Sequence, residues 1–355
     1  MSTPPPPGLP EGLWPGIEGF IATGEGDPEA LGQGLVDWLD GRQAGELDAV
    51  LDALRERGAY PVSLHVLEAA WNAELPLDAA GRVAEDWLGT VLHGLGDRDG
   101  ALEVARHLVG GALARGPSFA GDLGDLLMTL GLPEAARPLI EDAVARQPGE
   151  MTHRFNLGVL QKLAGEWAGC KASFEQITRH RDEPTGWWSL GIACTALRDW
   201  AGARRAWTKV GLALPAGDGD FAAPGQATPV RLRTPEGAPV RTEVVWGDRL
   251  CPARVRLRNL PRFADARFGD VMLIDGVAAG EVTDAEGERV TVHTALGIFS
   301  RYGGATFELA APDLGPQARE TARRLVEDLQ AAGWPAADWS GIGGLPGLRV
   351  GLVVP

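Results

Sequence analysis

At 355 residues, with 45% hydrophobic and 23% charged side chains, the chain has the length of two domains, or of one domain plus an elongated array, and the composition of a folded protein. Its net charge of −15 repels a phosphate backbone, which argues against nucleic-acid binding and for a protein or peptide partner with an apolar or basic surface. No run of eighteen apolar residues exists, against a membrane span, and the opening MSTPPPPGLPEG lacks the order of a signal peptide, so a cytoplasmic chain is expected.

Residues 1–25 are rich in Pro and Gly and are expected to form a disordered tail. A helical region follows over 26–116. Asp27 is an N-cap candidate before Pro28, and Leu31, Leu35, Val36 and Leu39 recur at helical spacing. Leu47, Val50, Leu51 and Leu54 predict a second helix ending near Gly58, and Val62 to Leu75 a third opened by Pro61. Leu88-Gly89 and Ala101 hint at a degenerate repeat over 82–116.

Over 117–217 one pattern recurs three times at a period of 33 to 34 residues. The last copy has Trp187, Leu190, Gly191, Cys194, Ala203, Trp207 and Pro215. The middle copy has Leu157, Gly158, Cys170 and Phe174, and the first has Leu123, Gly124, Ala136, Ala143 and Pro148. A fixed period of this length describes helix-turn-helix units, each of which must stack to bury its apolar face. The pattern resembles the tetratricopeptide repeat. Gly191 and Ala203 are small where two helices approach, while Leu190 and Trp207 fill the space beside them.

Residues 218–229 are a Gly, Asp and Pro rich linker, and beyond it the apolar period falls from about 3.6 to 2. Strands are expected in PVRLRTP, RTEVVW, ARVRLRNL, DVMLID, ERVTVHT, TFELAA and LRVGLVV, with hairpin turns at Asp275-Gly276 and Glu286-Gly287. A helix is predicted from Gln317 to Ala332, stopped by Gly333. The expected fold is multi-domain: an N-terminal α-helical, tetratricopeptide-like solenoid followed by a small α+β domain over 230–355 with an antiparallel or mixed sheet. Residues 1–223 hold 18 Lys and Arg against 32 Asp and Glu, whereas the remainder is nearly balanced and all its basic residues are Arg.

Repeats of this family present the first helix of each unit to a concave groove. The resemblance therefore implies partner contacts at Thr152, Phe155, Val159 and Lys162, then at Thr185, Trp188, Ile192 and Thr195. Only Lys162 has the character of a carboxylate clamp, so an amphipathic helix or apolar peptide is favoured as the occupant. The competing expectation is that Phe155 and Trp188 are covered by the chain's own C-terminal domain or the next helix. A second candidate surface is the arginine strand Arg254, Arg256 and Arg258, extended by Arg231 and Arg233 if their strand is a neighbour. It would bind an anion, RNA or an acidic protein, unless its arginines pair with Glu236, Glu243 or Asp270.

Catalytic patterns are weak, and no enzyme activity, cofactor or metal is expected. His180-Arg181-Asp182 lies at a repeat's end, without the companion motifs of a kinase loop. Gly341, Gly343 and Gly344 precede a strand rather than a helix. Glu103 and His107 are a lone pair without further metal ligands. Cys170 and Cys194 occupy repeat-core positions, and Cys251 makes the cysteine count odd. The expected function is a non-enzymatic adaptor that holds a protein segment in the repeat groove, with the C-terminal domain as cap or second contact. The alternative is an anion or nucleic-acid sensor working through the arginine strand.

Overall fold

The computed structural model describes residues 6, 8–40, 44–73, 75–284, 287–311, 318–340 and 348–354. The chain divides into two compact units, Met1–Leu157 and Gly158–Pro355.

The first unit is helical. Residues 13–23, expected within a disordered tail, instead form α1 (Leu13–Thr23), because Trp14 and Ile17, three apart on one helix face, are both buried. Helix α2 (Pro28–Leu39) starts as the sequence implies, with the Asp27 carboxylate accepting the Glu29 N–H at 3.0 Å. Next come α3 (Ala44–Glu56), α4 (Tyr60–Asn72), α5 (Leu77–Gly89), a π-helical turn (Thr90–Gly94) and α6 (Arg98–Arg115). Leu88 and Ala101, the residues hinting at a degenerate repeat, are fully buried.

The three repeats become the helix pairs α7 (Pro117–Thr129) and α8 (Pro133–Arg146), α9 (Met151–Leu163) and α10 (Trp167–His180), and α11 (Pro184–Ala196) and α12 (Trp200–Lys209). Each pair closes on one packing rule. A glycine of the first helix faces a large side chain sixteen residues later: Gly124 meets Ile140, Gly158 meets Phe174, and Gly191 meets Trp207. A Cβ at these glycines would lie 2.6, 2.8 and 2.8 Å from the facing side chain, closer than packed carbon atoms come. The inter-helix turns are equally regular, with left-handed residues at Gly131, Gly165 and Arg198. At each, two hydrogen bonds turn the chain, as in Arg198 N–H to Thr195 O and Asp199 N–H to Cys194 O. Cys170 and Cys194 are buried free thiols in this packing, and burial pushes both up to about 12.

The C-terminal strands form two sheets. Strands β1 (Ala227–Arg233), β2 (Thr242–Cys251), β3 (Arg254–Leu257), β4 (Val271–Thr283) and β5 (Arg289–Ser300) close into a barrel in sequence order. An odd number of strands running up and down brings first and last together in the same direction, so β1 and β5 pair in parallel and the sheet is mixed. Val230, Leu232, Val245, Val255, Leu257, Met272 and Ile274 alternate inward to fill it. The second sheet has the order β6 (Ala305–Ala311), β8 (Leu348–Val354), β7 (Ala336–Asp338), with α13 (Ala318–Ala331) on one face over Leu348, Val350 and Leu352. Leu260, Trp339 and Val353 join the two sheets.

Asp275-Gly276 is not a hairpin turn. It lies inside β4, whose pairing with β5 slips at Ile274 to Ala278 and leaves these residues bulged out of the ladder. Of the other expected turn, Gly287 takes a left-handed conformation between β4 and β5, while Glu286 lies outside the described residues. Gln317, at the start of the expected helix, and the glycine cluster at 341–344 also lie outside them.

Candidate binding surfaces

The groove residues have unequal fates. Thr152 and Thr185 are exposed, and Phe155 and Val159 half-buried. Ile192 and Thr195 are fully buried, and the Thr195 hydroxyl donates to Gly191 O at 2.7 Å and accepts from the Trp207 indole at 3.3 Å. The Lys162 ammonium lies 2.9 Å from the Asp275 carboxylate of β4, with Lys162 buried and the Asp275 side chain 13% exposed. Trp188 packs edge-on to Trp207 at 5.2 Å between ring centres, and any side chain at position 276 would run into its indole nitrogen. The bulge of β4 is therefore fitted to the wall of α9 and α11, glycine against tryptophan and carboxylate against ammonium. Lys162, Trp188, Ile192 and Thr195 are thus not an open groove, because the barrel and the helix core already occupy them. The chemistry of the Asp-Gly pair is local, but its placement answers Trp188 and Lys162, more than eighty residues earlier.

A second seam closes the same junction. Arg198 replaces the turn glycine of the other repeats and accepts a strained backbone, φ 58°. Its guanidinium lies 4.4 Å from the centre of the Phe299 ring and donates to the Phe299 carbonyl at 3.4 Å. Trp200 meets Phe299 and Phe221 edge-on.

The arginine strand is not a continuous surface. The alternation is right, since Val255 and Leu257 are buried in the barrel and Arg256 and Arg258 are exposed. Arg254, however, is buried: its two terminal nitrogens grip Asp220 at 2.9 and 2.6 Å, one also donates to Phe221 O at 2.7 Å, and Trp200 and Phe299 stand 5.1 Å away. The Arg254 guanidinium and the Phe221 N–H hold the Asp220 carboxyl below the usual carboxylate range, against the upward pull of burial, which is the largest single influence. Residues 220–225 are thereby fixed rather than a free tether, with Ala223 N–H and Gly225 N–H also bonded to the end of β2. Arg231 and Arg233 do not extend the stripe, because β2 separates β1 from β3. The expected acidic partners are engaged elsewhere. Glu243 accepts the backbone N–H groups of Arg262, Phe263 and Ala264, and Asp270 accepts from Arg301, Arg267 N–H and Tyr302 N–H. Arg258 faces Asp248 at 3.5 Å, both exposed.

His180-Arg181-Asp182 holds a helix start, with Asp182 accepting from the Trp187 indole at 2.6 Å. His107 packs on Trp87 at 5.5 Å, and no cluster of three His, Cys, Asp or Glu able to hold a metal exists among the described residues. No helix among them is long and apolar enough to cross a membrane.

The charge partition sharpens at the boundary between the units. Residues 1–157 hold 10 basic against 25 acidic side chains, whereas residues 158–355 hold 23 of each. The whole net charge belongs to the first unit. Its acids crowd at α3 and α5, where burial first, then the neighbouring Asp52, Glu85 and Asp48, push the Asp86 carboxyl up, with Arg55 opposing them. Periodicity does not carry this signal, but a count of charges by unit does.

No protein-family model matches the chain, and no curated protein matches it. Among the solved structures that resemble it in part are the following three. MamA from Desulfovibrio magneticus is 19% identical with a TM-score of 0.34, over 47% of this chain and 92% of that one. BtubC from P. vanneervenii is 14% identical with a TM-score of 0.35, over 61% and 100%. A tetratricopeptide repeat protein from Parabacteroides merdae is 15% identical with a TM-score of 0.32, over 56% and 78%. The tetratricopeptide-like character of 117–209 rests on the three glycine contacts and the matching turns.

Proposed function

We propose that the chain is a non-enzymatic scaffold that recruits a protein partner with a basic surface onto the helices of residues 1–157, while the barrel caps the last repeat. The observation that carries this reading is the charge partition, −15 on the first unit and zero on the second. Unbalanced charge of this size works against a compact fold through self-repulsion, but it draws in a cationic surface and speeds association. The crowded acids Asp48, Asp52 and Glu85 beside Asp86 give the field a focus. The cap supports the same division of labour, since Lys162 and Trp188 already hold β4.

Affinity capture with the full chain tests it, comparing wild type with the triple variant Asp48→Lys, Asp52→Lys, Glu85→Lys. A basic protein held by wild type at low salt should be lost from the variant and should weaken as salt approaches the physiological range, where screening acts over about 8 Å. A partner retained equally by both proteins sinks the proposal.

A further inference from the structure

Each strand of the barrel has a neighbour on both sides, so closure leaves the barrel no open edge. The second sheet is different. Its order β6, β8, β7 leaves two edges, of which β7 has only three residues and β6 has seven. All seven pair with β8 in one unbroken register, from Ala305 opposite Val354 to Ala311 opposite Leu348, and among the described residues no strand pairs with the other side of β6. Side chains opposite each other across an antiparallel pair share a face. Phe307 stands opposite Leu352 and Leu309 opposite Val350, so both belong to the face that α13 covers. The cover stops short of them: Leu352 and Val350 are buried, but Phe307 is 50% exposed and Leu309 41%.

Long edge strands are ordinarily kept from pairing by lysine, proline, a bulge or an inward charge. β6 has no lysine or proline, and its ladder has no bulge. Its single charge, Glu308, lies on the opposite face, where the Arg349 guanidinium donates to it at 2.7 Å and the buried Arg262 side chain stands 3.6 Å away. The edge is therefore regular, apolar and locally compensated in charge, which makes it a template for another extended strand.

Charge and symmetry select that strand. Residues 158–355, to which β6 belongs, carry no net charge, so two copies can meet there without the repulsion that a contact through residues 1–157 would bring, −15 against −15. β6 is also its own complement. Pairing its seven residues antiparallel with a second β6 over their full length puts the two-fold axis at Glu308 and sets Phe307 against Leu309 of the second copy. The two Glu308 carboxylates then face each other, a contact that Arg349 and Arg262 offset within each copy. We propose that the chain forms a two-fold dimer through β6, which joins two three-stranded sheets into one of six strands and covers Phe307 and Leu309 at the seam.

Sedimentation equilibrium of the full chain is the test. At about 100 µM chain a species of twice the monomer mass is expected, dissociating on dilution. Phe307→Lys and Leu309→Lys, each made at an exposed side chain, should weaken association about tenfold or more with unchanged circular dichroism. Val277→Lys, made at a barrel side chain that is 67% exposed, should leave association unchanged. Added salt screens the repulsion between two chains of charge −15 and should tighten the dimer, opposite to its effect on capture of a basic protein, so this proposal and the proposed function fail separately. A monomer at every concentration, a dimer indifferent to both β6 substitutions, or assembly that continues past the dimer overturns the proposal.

Discussion

Residues 1–157 and 158–355 use charge in opposite ways. The second unit is neutral and anchors ionic groups as structure: Lys162 and Asp275 are both largely buried, while the buried Arg254 and Asp270 each hold a partner that reaches the surface, Asp220 and Arg301. In the first unit Arg137 with Glu141 and Arg146 with Asp142 pair on the surface, and 25 acidic side chains face 10 basic ones. Buried pairs fix one geometry and are costly to break, whereas surface pairs contribute little and leave the field available to a partner. The contrast explains how one chain can have both a self-sealed end and a strongly charged one.

The largest expected effect comes from breaking a buried pair in the second unit. Lys162→Ala leaves the largely buried Asp275 without its cation and should cost about 3 kcal/mol in chemical unfolding, whereas Arg137→Ala in the first unit should cost under about 1 kcal/mol. The double replacement Lys162→Met with Asp275→Leu should recover most of the loss, because two apolar side chains leave no orphaned charge. Equal costs for Lys162→Ala and Arg137→Ala would erase the distinction between the units.

A smaller effect lies in pH dependence, and its sign differs between the units. His293 titrates below its ordinary value in the fold, so the unfolded chain binds the proton more tightly. Stability from this group is complete above about pH 6.5 and is lost as pH falls from there toward the depressed value. Asp86 titrates above its ordinary value, so its charged form is disfavoured in the fold and stability is gained as pH falls from the raised value toward the ordinary one. Asp86→Asn should therefore raise the melting temperature at neutral pH, with the difference vanishing near pH 3. His293→Phe should flatten the decline below pH 6.5. Parallel profiles for either variant and wild type would show that its group is not the source.

Much of the fold was legible because its signals are local. The repeat period, the small residue facing a large one at Gly191 and Trp207, and the inward alternation of Val255 and Leu257 each follow from spacing within a single element or helix pair. Tertiary demands overrode the rest. Asp275-Gly276 has the composition of a turn, yet Gly276 is there to admit Trp188 and Asp275 to meet Lys162. Trp14 and Ile17 make a helix in a stretch whose Pro and Gly content suggests none. Arg254 and Arg256 look alike in sequence, and only the position of Asp220 separates a buried structural arginine from an exposed one.

Hydrogen exchange of the full chain with and without its captured partner tests the division of labour most directly. The account predicts new protection on α3 and α5 of the first unit, with the α9 and α11 wall around Lys162 and Trp188 already slow to exchange and unchanged by the partner. New protection confined to that wall, with α3 and α5 unaffected, would contradict it.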